Sequence, residues 1–186
     1  MQVEWLYSGD PWANAYVVGD ILVDAGVTPM EVAPYKEQIE TIVLTHCHFD
    51  HILASAELKA LTGAPFSIHA HDLPLLRNMP ASVRQWFTIE VPPAAEPDSF
   101  VEEGQVVTCG NIALDVLFTP GHAPGHVSYV LRDEQTVFCG DCLFHGSVGR
   151  TDLPGASYEA LMHSITAKLL PLGDEFTVSP GHMRDT

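Results

Sequence analysis

Thr45-His46-Cys47-His48-Phe49-Asp50-His51 is the stretch of this sequence that decides its fold and its chemistry. It holds three imidazoles and one carboxylate, and it directly follows the apolar run Thr41-Ile42-Val43-Leu44. Unpaired polar side chains in a core cost about 1–3 kcal/mol each, so the stretch is predicted to be a functional loop at a strand end. Because alternate residues there can point the same way, the first two histidines are expected to face one metal. The aspartate and the last histidine then turn toward a second.

Two later histidines occur in matching surroundings. Thr119-Pro120-Gly121-His122 and Ser179-Pro180-Gly181-His182 both place Pro-Gly-His after an apolar, strand-like run. Glycine permits a sharp turn and proline ends a strand ladder, so each histidine is expected to project from a strand end. Asp141 in Phe138-Cys139-Gly140-Asp141 also follows a strand, and its two oxygens can bridge two cations. The strand ends are therefore predicted to converge on one metal site.

Apolar periodicity and turn residues predict the remaining elements. Strands are predicted over residues 3–7, 13–18, 21–24, 41–44, 65–69, 105–109, 112–119, 127–131, 136–139 and 176–179. Helices are predicted over residues 31–40, 53–61 and 158–170, the second of them ending at Thr62-Gly63. Because strands come in runs with single helices between them, the pattern favours a layered sandwich of two sheets over a doubly wound parallel sheet.

Over essentially the whole chain, these motifs resemble those of the metallo-β-lactamase superfamily, and within it the small glyoxalase II-like hydrolases. The resemblance implies an α/β fold, an αββα four-layer sandwich of two mixed β-sheets flanked by helices, as a single domain over residues 1–186. It implies that Asp141 bridges two metals. The other implied ligands are His46, His48 and His122 for the first metal, and Asp50, His51 and His182 for the second.

The resemblance also implies a reaction. Two divalent metals, zinc in the first place with iron or manganese as alternatives, would share a hydroxide that attacks a small thioester, as in hydroxyacylglutathione hydrolase. Asp50 is the predicted catalytic residue, because its carboxylate can orient that hydroxide. The alternative is an oxidoreductase similar to persulfide dioxygenase, with one Fe(II) held by His46, His122 and Asp141. A non-enzymatic metal-binding protein is a third class, against which the complete ligand set argues.

Two residues beyond the bridging aspartate are predicted to contact substrate. The segment 149–155 resembles the glycine-basic segment of glyoxalase II-like members, so Arg150 is expected to bind a substrate carboxylate, with a salt bridge to Asp152 as the alternative. His145 is expected to line the pocket. Only four residues follow His182, whereas two-domain glyoxalase II carries basic glutathione-binding residues in a further segment. Either the sequence is shortened at this point, or the protein does not hold glutathione in that way. If Arg150 alone supplies recognition, we expect weak binding of glutathione.

Residues 77–100 are predicted to form a long irregular loop, because prolines punctuate them. Trp86 and Phe87 within this loop are expected to form an apolar wall or lid over the metals, or the self-association surface of a homodimer, with plain core packing as the alternative.

The remaining cysteines and histidines are predicted to have structural roles. Cys139 and Cys142 form a C-x-x-C pattern that is predicted to be packed rather than redox-active, since no second cysteine pair exists. His126 is predicted to support the site without binding metal. His69 and His71 are assigned a surface or capping role, and His163 the polar face of a helix.

Composition limits the partners. The chain has 186 residues, with 8 Lys and Arg against 24 Asp and Glu, for a net charge of −16 that repels nucleic acid and anionic membranes. It has no apolar run of the roughly 18 residues that span a bilayer. Met1 to Asp10 lacks the basic and apolar regions of a signal peptide. We therefore expect a cytoplasmic protein that acts on a small-molecule substrate and binds neither nucleic acid nor membrane.

Overall fold

The first of two main β-sheets contains six strands that lie in chain order. The computed structural model describes residues 3–9 and 12–185. The strands are β1 (Val3–Leu6), β2 (Ala15–Val18), β3 (Ile21–Val23), β4 (Thr41–Val43), β5 (Phe66–His69) and β6 (Ser99–Val101). β1 to β3 pair antiparallel, and β3 to β6 pair parallel, so the sheet is mixed.

The second sheet has five strands in the order β13-β10-β9-β8-β7. They are β7 (Val106–Cys109), β8 (Ile112–Phe118), β9 (Val127–Leu131), β10 (Thr136–Gly140) and β13 (Thr177–Pro180). β13 is parallel to β10, and the other pairs are antiparallel. Consequently β8, β10 and β13 run in one direction, and their carboxyl ends share one edge. A short hairpin of β11 (Leu143–Phe144) and β12 (Ser147–Val148) follows β10.

Side chains of β2 show how the layers form. Ala15 and Val17 pack outward, in a core shared with helices, whereas Tyr16 and Val18 pack between the two sheets. Phe138 of β10 enters the same inter-sheet core, with its ring 5.1 Å from that of Tyr16. Successive residues of a strand point to opposite faces, so both faces of this sheet are covered.

Helices enclose the sheets on both sides. They are α1 (Pro29–Val32), α2 (Phe49–Ile52), α3 (Ser55–Thr62), α4 (Leu73–Arg77), α5 (Met79–Phe87) and α6 (Tyr158–Ser164), which continues as a π-helical turn, Ile165–Leu169. Apolar residues of α1 to α5 share the outer core of the first sheet, and those of α6 pack on the second. The predicted αββα sandwich of two mixed sheets is therefore confirmed.

Most predicted elements are present with small changes of boundary, and Gly63 ends α3 in the left-handed region, with φ of 71°. The irregular loop over residues 77–100 is wrong for its first half, because α5 occupies Met79–Phe87. Pro80 lies in the first turn of α5, where a helix loses no hydrogen bond to proline. The helix predicted over 31–40 is also shorter in the structure. The α-helix α1 spans Pro29–Val32 and is followed by a 3₁₀ turn at Ala33–Tyr35. β6 and the β11–β12 hairpin were not predicted.

None of the helices within residues 3–9 and 12–185 combines the length and apolar character that a membrane-spanning helix needs.

Candidate metal centre

The centre lies where loops from both sheets meet. The loop after β4 enters from the first sheet, and the loops after β8, β10 and β13 enter from the second. Two hydrogen bonds join the sheets at this edge: the Val127 amide donates to the Thr45 carbonyl at 2.8 Å, and the Tyr129 hydroxyl donates to the Leu44 carbonyl at 2.9 Å. The loop with the first histidines is therefore fixed against the second sheet.

All seven predicted ligands come together here, in overlapping groups whose ligand atoms lie within 4.8 Å of one another. The groups are His46, His48 and His122; His46, His51 and Asp141; and Asp50, His51 and His182. In the first group, His48 Nδ1 lies 2.8 Å from His122 Nε2. In the last, His182 Nε2 lies 3.0 Å from Asp50 Oδ2.

Asp141 lies between the groups, as a bridging carboxylate must. Its Oδ1 is 3.2 Å from His51 Nε2, and its Oδ2 is 3.4 Å from His122 Nε2 and 3.6 Å from His182 Nε2. Gly181 makes this approach possible, because a Cβ there would overlap both the Asp141 carboxylate and the His51 ring. The Pro-Gly-His pattern thus places His182 against the bridging aspartate.

The ring nitrogens are arranged as metal ligation requires. His122 donates from Nδ1 to the Arg150 carbonyl at 2.9 Å, and His51 Nδ1 lies 3.0 Å from Asp24 Oδ2. The Thr45 hydroxyl donates to Asp24, so it accepts from His46 Nδ1 at 3.1 Å. In all three histidines Nδ1 carries a proton and Nε2 points into the centre, where it can bind a metal once any proton on it has been released.

Unpartnered buried atoms test whether a cation fits. Among the described residues, His46 Nε2 is buried without a hydrogen-bond partner, and His51 Nε2 and Asp141 Oδ1, although 3.2 Å apart, make no aligned hydrogen bond. Such atoms are costly unless something satisfies them, and imidazole and carboxylate donors suit divalent Zn, Fe and Mn. The donor set therefore fits a metal ion.

The protonation states of the predicted ligands agree with a bound cation. Burial lowers the pKa of His46 well below its usual value and that of His48 to about 4, so both rings are neutral at pH 7. Burial alone would raise the pKa of Asp141, but neighbouring histidines, His51 first, hold it far below its usual range. For His51, the carboxylates of Asp141 and Asp24 outweigh burial and raise the pKa well above its usual value. A cation is thus favoured between these carboxylates.

Asp24 is a functional residue that the sequence reasoning missed. It follows β3 with φ of 63°, an uncommon backbone conformation for aspartate. Its carboxylate accepts from the Thr45 amide at 2.7 Å and the Thr45 hydroxyl at 2.8 Å, besides its contact with His51. Asp24 therefore orients ligands through their second ring nitrogen. The only signal was a charged residue ending an apolar run.

Asp72 was missed as well. It is fully buried before α4 and accepts hydrogen bonds from the amides of Cys47, at 2.8 Å, and Gly125. One amide lies between His46 and His48, and the other lies three residues after His122, so one carboxylate joins the two loops that carry the first ligand group. Burial raises the pKa of Asp72 to about 6.

His126 supports the bridging aspartate. The Asp141 amide donates to its Nε2 at 3.1 Å, so its proton is on Nδ1, which lies 3.1 Å from the Thr119 hydroxyl. The ring is fully buried, and its centroid is 4.9 Å from that of His46. These contacts agree with a supporting role that does not involve metal binding.

Asn14 secures the last loop. Its backbone amide donates to the Gly181 carbonyl at 2.7 Å, and its side chain donates to the Pro180 and Met183 carbonyls at 2.9 and 2.8 Å. The Tyr16 hydroxyl donates to the same Pro180 carbonyl at 2.7 Å. No motif in the sequence indicates this role, which depends on the start of β2 lying beside the end of β13.

The remaining cysteine and histidine candidates make structural contacts or lie on the surface. Cys139 and Cys142 are buried free thiols that point at the carbonyls of Leu143 and Thr119, at 3.2 and 3.4 Å, in agreement with packing. The His69 side chain accepts from the His71 amide at 3.3 Å, which agrees with capping. His163 is exposed on α6.

A cavity of about 750 Å³ opens over the centre. One wall is formed by α4 and α5, with Leu75, Met79 and Trp86, and the other by the β11–β12 hairpin and the segment 150–154. Trp86 lines the cavity as the wall hypothesis requires, although from a helix. His145 is exposed in the hairpin turn and is not among the described residues that line this cavity, so its predicted substrate contact stays a prediction.

The four-layer sandwich carries a potential metal-binding His/Asp cluster at one edge, as expected of a metal-dependent hydrolase. Residues 13–182 match the metallo-beta-lactamase superfamily, and the chain belongs to this family. Hydroxyacylglutathione hydrolase GloC of Haemophilus influenzae is 35% identical over 146 residues, which cover 77% of this chain and 68% of GloC.

Solved structures agree with this assignment. TTHA1623, crystallised in a di-iron-bound form, is 38% identical with a TM-score of 0.88, over 98% of this chain and 93% of its own. ETHE1 from Myxococcus xanthus is 27% identical with a TM-score of 0.78, over 100% of this chain and 79% of its own.

Proposed function

We propose that this protein hydrolyses a small thioester to a carboxylic acid and a thiol, in the manner of hydroxyacylglutathione hydrolase. The observation that carries the proposal is the pair of ligand groups on either side of Asp141, beneath a cavity that admits a small molecule. The first metal would be held by His46, His48 and His122, the second by Asp50, His51 and His182, with Asp141 between them. The identity to GloC supports the reaction class.

Two divalent metals bound by these residues would supply a hydroxide nucleophile at neutral pH and polarise the thioester carbonyl. We propose zinc, with iron or manganese as alternatives, and the di-iron form of TTHA1623 supports such a dinuclear site.

Asp50 is proposed as the catalytic residue. Burial alone would raise its pKa, but the hydrogen bond with His182 and the nearby His51 lower it below the usual value. It therefore stays ionised at neutral pH and can accept a hydrogen bond from the attacking water, which orients the lone pair of its oxygen. The contact of Asp50 with His182 fixes the carboxylate in this position.

A persulfide dioxygenase-like oxidoreductase is the second candidate. His122 and Asp141 lie 3.4 Å apart, and with His46 they form the two-histidine, one-carboxylate set that suits Fe(II). The similarity to ETHE1 favours this candidate. It uses three of the seven predicted ligands and leaves the other four without a role in metal binding: His48, Asp50, His51 and His182.

An assay on the purified, metal-loaded protein distinguishes the two. With a hydroxyacylglutathione as substrate, we expect thiol release without oxygen uptake, and with glutathione persulfide we expect no oxygen uptake. His51→Ala should abolish the thiol release. The control His163→Ala removes an exposed imidazole on α6 that belongs to none of the ligand groups, so it should leave the thiol release unchanged. Oxygen consumption with the persulfide and no thioester cleavage would establish the dioxygenase instead.

A further inference from the structure

Arg150 is the only lysine or arginine among the described residues that line the cavity. The carboxylates there are Asp50 and Asp141, which belong to the ligand groups, and Asp152. Recognition of an anionic substrate at a distance from the reacting carbonyl therefore depends on whether Arg150 is available.

Arg150 already has an anionic partner. Its Nε donates to Asp152 Oδ1 and its Nη2 to Asp152 Oδ2, both at 2.7 Å, which is the bidentate geometry of strong guanidinium–carboxylate pairs. The guanidinium hydrogen bonds lower the pKa of Asp152 to about 2, so the pair stays ionised throughout the working range of pH. Because Asp152 already neutralises the guanidinium charge and occupies its Nε and one Nη2 hydrogen, a substrate carboxylate would meet only the remaining Nη hydrogens of a neutral pair.

Apart from the metal centre and the Arg150–Asp152 pair, the cavity is lined by apolar side chains together with four uncharged polar residues, Asn78, Ser82, Gln85 and Ser147. Leu75, Met79 and Trp86 line one wall, and Phe144, Val148 and Leu153 line the other. The Arg150 guanidinium lies 5.8 Å from the centroid of the Trp86 ring, so it joins the two walls by a cation–π contact. Both residues are largely exposed, which places this contact at the mouth of the cavity.

We infer that the cavity selects thioesters whose arm beyond the reacting carbonyl is uncharged and apolar, and that Asp152 keeps Arg150 from serving as a carboxylate receptor. This inference rests on the proposed function, and it reverses the expectation that Arg150 binds a substrate carboxylate. Apolar walls gain from burial of an apolar arm, whereas a carboxylate there would lose water without gaining an unoccupied cation.

A matched pair of ligands tests the inference. Non-hydrolysable thioether analogues with a benzyl arm and with a 4-carboxybenzyl arm differ only in one carboxylate, and isothermal titration gives their affinities for the metal-loaded protein. We expect the benzyl ligand to bind at least about tenfold more tightly. Trp86→Ala should weaken the benzyl ligand by roughly tenfold, because a face of the apolar wall is lost.

Variants of the ion pair provide the sharper comparison. Asp152→Asn frees the guanidinium without changing the size of the side chain, so the carboxybenzyl ligand should bind about three- to fivefold more tightly while the benzyl ligand changes little. Arg150→Ala/Asp152→Ala, which removes both charges of the pair together, should not weaken the carboxybenzyl ligand. The inference is overturned if the wild type binds the carboxybenzyl ligand as tightly as the benzyl ligand, if this double variant loses the carboxybenzyl ligand, or if neither ligand binds.

Hydrolysis of the corresponding benzyl and carboxybenzyl thioesters separates the two proposals. If the thioethers bind in the expected order but neither thioester is cleaved, the proposed reaction is wrong. If both thioesters are cleaved and the carboxybenzyl compound is preferred, the reaction stands and the inferred specificity is wrong.

Discussion

The floor of the cavity and its walls are built in different ways. The floor consists of ligand side chains at the ends of strands, and buried partners such as Asp24 and Asp72 hold these ligands through backbone amides and second ring nitrogens. The walls consist of side chains on α5, a short hairpin and the segment 150–154, where the main polar contact is the exposed pair of Arg150 and Asp152. Substitutions in the floor should therefore alter metal binding and chemistry, and substitutions in the walls should alter only substrate preference.

Loss of a ligand should give the largest effect. His51→Ala removes the ligand that contacts both Asp141 and Asp24, so we expect one metal per chain and a loss of thioester hydrolysis of at least about 10²-fold. Metal analysis and steady-state kinetics measure the two quantities on the same sample. Retention of thioester hydrolysis in this variant would show that the chemistry does not need the second metal, whereas retention of oxygen-dependent persulfide oxidation would favour the single-iron dioxygenase.

Asp72→Asn tests a residue that supports the ligand loops of the floor without being a predicted ligand. The asparagine oxygen can accept from one of the Cys47 and Gly125 amides, but its amide group faces the other, so one ligand loop is released. We expect a roughly 10- to 100-fold loss of metal affinity, measured by competition with a chelator. Asp133→Asn, at an exposed aspartate in a 3₁₀ turn, is the matched control. Equal metal affinities of both variants would show that Asp72 serves stability alone.

The same carboxyl makes stability depend on pH. The pKa of Asp72 rises from 3.8 to about 6 on folding, so the folded protein binds the proton more tightly than the unfolded chain does. The stability contributed by this group should therefore fall as pH rises from about 4 to about 6. The free energy of unfolding of the wild type, relative to Asp72→Asn, should fall by up to about 3 kcal/mol over this window. Urea titrations of both proteins at several pH values measure it, and a difference that rises with pH would contradict the assignment.

A wall substitution should give the smallest effect. Leu153→Ala removes part of the apolar lining without touching a predicted ligand, so KM for an apolar thioester should rise only severalfold, with kcat and metal content unchanged. A fall in kcat or in bound metal would show that the walls and the floor are not separable in the way described above.

The sequence predicted the floor better than the walls for a physical reason. All seven predicted ligands lie in short motifs rich in histidine and aspartate at strand ends, so the local sequence points to them. Asp24 and Asp72 are single aspartates beside a strand and a helix, and their importance depends on which loops the fold brings against them. Helix α5 was hidden by prolines, although Pro80 occupies a first turn that tolerates it.

The partner of Arg150 at the cavity wall could likewise not be predicted from local sequence alone. The sequence allowed Arg150 either a substrate carboxylate or Asp152 as a partner, and only the folded chain shows the guanidinium paired with Asp152 and close to Trp86. The four layers themselves were predictable, because strands come in runs with single helices between them and an all-apolar strand such as β2 can bury both of its faces.

A metal titration tests the central claim of a dinuclear hydrolytic centre most directly. Protein stripped with a chelator is given zinc in steps, and bound metal and thioester hydrolysis are measured at each step, with a parallel titration using iron. We predict saturation at two metals per chain, with most of the hydrolytic activity appearing with the second equivalent. Saturation at one metal per chain, with thioester hydrolysis already complete or replaced by oxygen-dependent persulfide oxidation, would contradict the claim.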